Sequence, residues 1–458
     1  MNAITKEIFP RKKFSVALVI VGLVLQSFIV TIGFLYKYTN GDTMISAGAA
    51  KIYASLSFPE PFFFGQPYIF LFESILAIPL VWAGLRADIS TMVVCIGLFY
   101  LPVLLLMMYT YSRNILLCVF IGISPLLISF SYVLISQIPY GLMGSVGLGA
   151  AACVIYLFDD ARATSRKICL CLLGACVASY SATSLLIPLI LLRGKGRELV
   201  FSMTYFIIGF LLIYSLNIFY ALNPSYIVHA APGLSISGKT FVENISNPEI
   251  YQVFFSSIPF LWVMVIIAVF RVRDFNVDYI YSLFGYLILV ALAFATTKIR
   301  DGGESYFFSR HRFFVASSFF FVIYFSYLFR NAVSANLFKD PKLYNLALVV
   351  MVLNMIQLTR LHFFIESNVP KVAAIYSYLI VPLANREYLK STCDRVSLIM
   401  GNYQAALIDG RNDLIAYGCT VLTGKQIVQK IYERRTWMKA AIESDEAPLF
   451  LLKADQAY

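Results

Sequence analysis

Apolar residues run along this chain in long, nearly charge-free stretches broken by short polar segments. Each stretch is close to the roughly 20 residues that carry a helix across a bilayer. About eleven spans are predicted, near 14–36, 68–86, 89–111, 115–135, 141–158, 168–192, 200–221, 253–270, 279–297, 313–330 and 343–365. Longer polar stretches interrupt them at 37–67, 222–252 and 298–312. The pattern changes after residue 365. Short apolar runs at Gln404–Asp409, Gln426–Lys430 and Pro448–Leu452 read as strands, with helical segments at Arg411–Leu422 and Arg435–Glu443 between them. Strand–helix alternation of this kind predicts a small α/β domain. The expected fold is an all-α polytopic membrane protein over 1–365, with a C-terminal α/β domain over 366–458.

Composition agrees with that class. The 458 residues are 60% hydrophobic and 13% charged, against about 25% charged in soluble domains. A net charge of +11 does not imply nucleic acid, because the basic residues sit in short clusters between apolar runs. Arg11, Lys12 and Lys13 precede the first span and predict a cytoplasmic N-terminus. Alternation then puts all three long loops and the C-terminal region on the opposite, external face. Arg193, Lys195 and Arg197 fall inside, as do Arg271 and Arg273, Arg330, Lys339 and Lys342. One cluster breaks the rule: Arg162, Arg166 and Lys167 come out on the external face. A span between 68 and 192 is therefore re-entrant, broken or miscounted.

Cys95, Cys118, Cys153, Cys169, Cys171 and Cys176 lie in or beside apolar runs and read as buried small hydrophobes. Cys393 and Cys419 fall in the polar C-terminal region and would pair if that region faced an oxidising compartment. Soluble-enzyme signatures are missing: no phosphate-binding Gly-Lys-Ser/Thr loop, no Gly-x-Ser-x-Gly elbow, no His-Glu-x-x-His pair. His229, His311 and His362 are too scattered in sequence to argue a metal cage.

The chemistry-bearing residues cluster in two loops. Asp42, in Thr39-Asn40-Gly41-Asp42-Thr43, follows the first span. It reads either as an ordinary polar turn or as a carboxylate at the bilayer edge, placed to deprotonate a hydroxyl. Phe62-Phe63-Phe64-Gly65-Gln66-Pro67-Tyr68 leads to Glu73 inside an apolar run. The phenylalanines suit an aromatic belt. A buried glutamate is costly unless it lines a hydrated cavity or has a partner, and the cavity reading is favoured. The stretch from Lys298 to Arg312 holds Arg300, Asp301, Glu304, Arg310 and His311. Basic residues on an external face suggest an anion to hold, and the arginine fork suits phosphate oxygens. The loop at 222–252, with Asn223-Pro224 and Pro232-Gly233, is long enough to act as a lid.

Phe64-Gly65-Gln66-Pro67-Tyr68-Ile69-Phe70-Leu71-Phe72-Glu73-Ser74-Ile75-Leu76-Ala77 resembles the Tyr-Gly-Gln-x-Tyr…Ser-Leu-Glu-Ala-Tyr-Leu-Ala-like run of the GT-C superfamily of membrane glycosyltransferases. The bacterial members meant are those using a polyprenyl-phosphate sugar donor. Arg312-Phe313-Phe314 loosely matches that family's Arg-Tyr-Leu-like motif, with Phe313 in place of Tyr. Asp413–Val428 resembles a helix-then-strand segment of its external domain. The resemblance implies Asp42 as catalytic base, Gln66, Tyr68 and Glu73 as shaping a substrate site, and Arg310, His311 and Arg312 as binding the donor phosphate. No second acid follows Asp42, a departure from a metal-holding acidic pair; no cofactor is implied, and a divalent metal stays open.

The function implied is transfer of a monosaccharide from a polyprenyl-phosphate donor to a cell-envelope glycan or glycolipid. Its place would be the outer face of the cytoplasmic membrane. The alternatives are an O-antigen polymerase or lipid-linked-oligosaccharide flippase, or a secondary transporter, although no inverted repeat is visible.

Overall fold

The computed structural model describes residues 2–36, 38–39, 41–56, 61–63, 66–112, 114–128, 133, 136–137, 139, 141–160, 162–194, 196–222, 236–258, 277–296, 306–332, 349, 352, 356, 384–400, 405–408, 419, 421–422, 426–429 and 450–452. Most of the expected spans at 253–270 and 343–365, and the expected helix at Arg435–Glu443, lie outside these residues.

Helix α1 (Asn2–Val30) closes with a π turn (Thr31–Leu35) and leads through β1 (Tyr38–Thr39) to α2 (Gly41–Ala54). An antiparallel pair, β2 (Phe62–Phe63) and β3 (Gln66–Phe70), precedes α3 (Phe72–Trp82). Then come α4 (Ala87–Tyr111), α5 (Ile115–Leu127), α6 (Leu142–Phe158) and α7 (Ala163–Ser179). A 3-10 helix (Ser181–Leu192) and α8 (Arg197–Leu222) follow. Two short helices, α9 (Gly238–Ile245) and α10 (Pro248–Ser257), precede the long α11 (Val277–Phe294) and α12 (Tyr306–Ala332). The C-terminal region holds β4 (Ala384–Asn385), α13 (Arg386–Met400), β5 (Ala405–Ile408), β6 (Gln426–Gln429) and β7 (Phe450–Leu452).

Side-chain contacts fix the direction of each helix. Tyr109 stacks on Phe158 with ring centroids 6.1 Å apart, so the C-terminal ends of α4 and α6 meet. Just past that end, Asp160 takes Arg193 at 3.1 Å and Arg330 at 2.5 Å. Arg193 also donates to the carbonyls of Tyr156 (3.2 Å) and Leu157 (3.1 Å), satisfying acceptors that a helix C-terminus leaves open. The end of the 3-10 helix and the end of α12 therefore lie at this same end, here termed the basic end. Asn114 caps α5 there, its side chain accepting from Leu117 N–H at 3.1 Å. Helix α5 runs parallel to α1, with Gly122 against Val19 and Gln26 donating to the Pro125 carbonyl at 3.0 Å. The Arg11–Lys13 end of α1 thus joins the basic end as well.

Two expectations are corrected. The span expected at 68–86 is not a crossing helix. Its first part is β3, and α3 has 11 residues, about 16 Å at 1.5 Å per residue, roughly half a hydrocarbon core. Trp82 donates to the Ala54 carbonyl at 2.7 Å, and Ala77 packs with Ala50 and Ala87. Helices α2 and α3 therefore form a pair beside the start of α4, at the end opposite the basic one.

The span expected at 168–192 is two passes. Helix α7 ends at Ser179, Tyr180 is extended (φ −143, ψ 114), and the 3-10 helix returns to Arg193 beside Asp160. A 12-residue 3-10 helix at about 2.0 Å per residue covers about 24 Å. Among the described residues one expected span is lost and one gained. The sidedness changes: Arg162, Arg166 and Lys167 at the start of α7 now share the basic end with Arg193 and Arg330. The conflict with the charge rule disappears.

Close packing inside the bundle uses small residues. A Cβ on Gly174 would meet the Phe206 carbonyl, and one on Gly209 the Cys171 carbonyl, so α7 and α8 touch backbone to backbone. Gln26, Tyr100 and Gln137 form a buried polar chain: Tyr100 Oη donates to Gln26 Oε1 at 2.9 Å, and Gln137 Nε2 donates to Tyr100 Oη at 3.3 Å.

In the C-terminal region β5 lies between β6 and β7, parallel to both, with Ala406 opposite Ile427 and Phe450. Parallel neighbours require crossover connections, in line with the strand–helix alternation of the sequence. Cys393 on α13 is disulfide-bonded to Cys419. The other six cysteines are free and, apart from the partly exposed Cys171, buried.

Candidate functional site

Helix α2 carries Asp42 as its second residue and Lys51 in its last turn. An acid at the N-terminus and a base at the C-terminus both suit the helix dipole. Partial burial lowers the Lys51 amine from the ordinary lysine range. Ser74 Oγ of α3 donates to the Ser46 carbonyl at 2.9 Å, so the helix bearing Asp42 is bonded to the helix bearing Glu73.

Glu73 is fully buried, with 0% exposure, in the first turn of α3. Its Oε1 accepts the backbone N–H of Gly141, and its Oε2 faces Gly144 in the first turn of α6. A carboxylate over a helix N-terminus meets both the open N–H groups and the positive end of the dipole. The start of α6 is thus the partner of Oε1, where a hydrated cavity was the favoured expectation, while the buried Oε2 makes no hydrogen bond among the described residues. Gly141 adopts φ +86, and a Cβ there would run into Ile69 of β3; only glycine meets both demands. Phe70, at the end of β3, donates its N–H to Ser179 Oγ at 2.9 Å, and Ser145 Oγ donates to the same Ser179 Oγ at 2.8 Å. The strand holding Gln66 and Tyr68 is thereby pinned to the end of α7 and the first turn of α6.

Arg310, His311 and Arg312 lie in the opening turns of α12. The C-terminal ends of α12 and α6 meet where Tyr327 packs on Phe158 at 5.8 Å and Arg330 reaches Asp160. These helices run in the same direction, so the start of α12 lies at the same end as Gly141 and Glu73. Phe314 is buried there against Phe254 of α10 (5.1 Å) and Phe294 of α11 (6.5 Å). Asn244 of α9 donates to the Phe294 carbonyl at 2.7 Å and to the Thr296 carbonyl at 3.2 Å.

The fold therefore brings Asp42, Gln66, Tyr68, Glu73, Arg310, His311 and Arg312 to one end of the bundle. Of their side chains only that of Glu73 is among the described residues. The C-terminal region reaches the same end. Strand β1 pairs antiparallel with β4, Tyr38 opposite Asn385 and Thr39 opposite Ala384, three residues before Asp42.

Ser46, Ser74, Ser145, Ser179 and Gly141, which hold this corner together, carry no signal in the sequence that pairs them. Gly141 at a break between apolar runs marks a turn, yet nothing in the spacing joins it to position 73. Among the described residues no three His, Cys, Asp or Glu side chains gather as metal ligands.

No protein-family model matches the chain, and no curated protein is similar to it in sequence. Solved structures are similar. ArnT from Cupriavidus metallidurans in the apo state aligns with a TM-score of 0.51 at 12% identity, covering 95% of this chain and 89% of that one. ArnT from the same organism bound to undecaprenyl phosphate aligns at 0.52 and 11% identity, covering 96% and 90%. Over nearly its whole length the chain has the fold of ArnT.

Proposed function

We propose that the chain is a membrane glycosyltransferase that moves a monosaccharide from a polyprenyl-phosphate donor to a hydroxyl of an envelope glycan or glycolipid. The observation that carries this reading is the fold-wide likeness to ArnT, one of whose structures holds undecaprenyl phosphate. In the proposed step the acceptor oxygen attacks the anomeric carbon as the bond from that carbon to the phosphate oxygen breaks. Asp42 takes the acceptor proton, and the polyprenyl phosphate leaves as an anion held by Arg310 and Arg312, with His311 beside them. Gln66 and Tyr68 on β3 shape the sugar site, and Glu73 fixes the strand and helix that carry them.

The site end is proposed to face outward from the cytoplasmic membrane. Two features support this. The basic clusters gather at the opposite end, as expected of a cytoplasmic face. The Cys393–Cys419 disulfide suits an oxidising compartment.

Asp42→Asn tests the reading in purified protein with a synthetic polyprenyl-phosphate sugar. Transfer should fall by about 10²–10⁴-fold, the usual contribution of a general base, while donor binding persists. Transfer at the wild-type rate would remove Asp42 from the mechanism. An intact protein that moves lipid-linked glycan across vesicles without forming a glycosidic bond would establish a flippase instead.

A further inference from the structure

The basic end holds a cleft of about 270 Å³ between the end of α6, the start of α7, the end of the 3-10 helix and the start of α8. Arg166, Lys167 and Arg193 supply its cations, and Glu198 is the acid among its described lining residues. The cations differ in employment. Arg193 is engaged with Asp160 and two carbonyls. No described carboxylate makes an ion pair with Arg166 or Lys167, and Lys167 instead lies over the Tyr205 ring with Nζ 5.3 Å from its centroid. At the wall, Tyr156 Oη and Ser202 Oγ lie 3.1 Å apart. The cleft opens on an apolar surface, with Phe201 63% and Ile168 62% exposed. Phe201 lies on α8 and Ile168 on α7, one residue after Lys167.

We infer that this cleft binds the phosphate headgroup of an anionic phospholipid, with Arg166 and Lys167 on the phosphate and an acyl chain along Phe201 and Ile168. A phosphate here gains two cations with no described acidic partner, beside the positive N-terminal end of α7. Basic pockets between membrane helices are suited to anionic headgroups. A soluble phosphate would meet the same cations but make no contact with the exposed apolar flank at Phe201 and Ile168, which is why the lipid is the occupant chosen. The inference does not depend on the proposed sugar transfer, since the cleft lies at the opposite end of the bundle.

Native mass spectrometry of the full chain in detergent, with equimolar phosphatidylglycerol and phosphatidylethanolamine, is the test. Wild type should retain one phosphatidylglycerol in preference. Arg166→Gln with Lys167→Gln should cut that retention about tenfold. Arg162→Gln should leave it unchanged, because exposed Arg162 neighbours the cleft without lining it. Equal retention of both lipids, or equal loss in the Arg162 variant, would reduce the cleft to general surface charge. Protection against unfolding by inorganic phosphate equal to that by phosphatidylglycerol would also overturn the lipid assignment. Circular dichroism of the double variant confirms that it is folded, and neither residue has a described ion pair to lose.

Discussion

The buried carboxylate of Glu73 accepts the backbone N–H of Gly141, joining the first turn of α3 to the start of α6 across 68 positions of sequence. Through this bond the strand–helix corner that holds Gln66 and Tyr68 is anchored to the bundle.

Glu73→Ala should lower stability by about 1–3 kcal/mol, because it strands a buried N–H at a helix start. Glu73→Gln keeps an acceptor and should recover most of the loss. Thermal unfolding in detergent reads both. An alanine variant that melts with wild type would show that the cap carries no stability.

The contact between α7 and α8 depends on two glycines. Gly174→Ala and Gly209→Ala place a methyl against a backbone carbonyl that cannot turn away, and each should cost about 1–3 kcal/mol. Gly97→Ala in α4 has nothing within 4 Å of the new methyl and should be neutral or slightly stabilising, given alanine's better helix propensity. Equal melting temperatures for all three would contradict the close approach of the helices.

The two-pass arrangement of 163–192 predicts a labelling pattern. A membrane-impermeant maleimide should reach Thr164→Cys and Gly196→Cys from the same side, and Lys239→Cys from the other. All three positions are exposed. Reaction of Thr164→Cys and Gly196→Cys from opposite sides would restore a single span there.

Thiol counting checks the disulfide. Denatured protein without reductant should take up six maleimides, one for each free cysteine, and reduction should raise the number to eight. Closing a loop across 26 positions is worth about 3–4 kcal/mol in the chain-entropy account. Cys393→Ser should therefore loosen the C-terminal region, seen as faster proteolysis around residues 386–400. Eight reactive thiols before reduction would mean that no bond forms.

Much of this architecture is written in the apolar pattern. A bilayer leaves a backbone few ways to satisfy its polar groups, so long charge-free runs become helices; α1, α4, α8, α11 and α12 fall where the pattern puts them. The three strands of the C-terminal sheet were also legible, since short apolar runs between polar turns have few other uses. Hydrophobicity, however, reports where a segment is comfortable and not what conformation it takes. Residues 66–82 are apolar as a strand followed by a short helix, and 163–192 as two passes turning at Tyr180. The break at Tyr180 carries neither a charge nor a glycine, and the one at Leu71 is marked only by Glu73, two residues on in the first turn of α3. Only packing reveals them, through Trp82 on Ala54 and Arg193 on Asp160.

The candidate site divides in the same way. Residue types and local spacing were enough to single out Asp42, the Gly65-Gln66-x-Tyr68…Glu73 run and the arginines at 310 and 312. That these positions share one end of the bundle with strands β1 and β4 was decided by the directions of α6 and α12. So was the identity of Glu73's partner, a glycine N–H available only because Gly141 takes a left-handed conformation. A sequence specifies each helix through the water and lipid its own side chains accept. Which helix ends meet depends on pairwise contacts between distant positions, and the tertiary structure alone determines those.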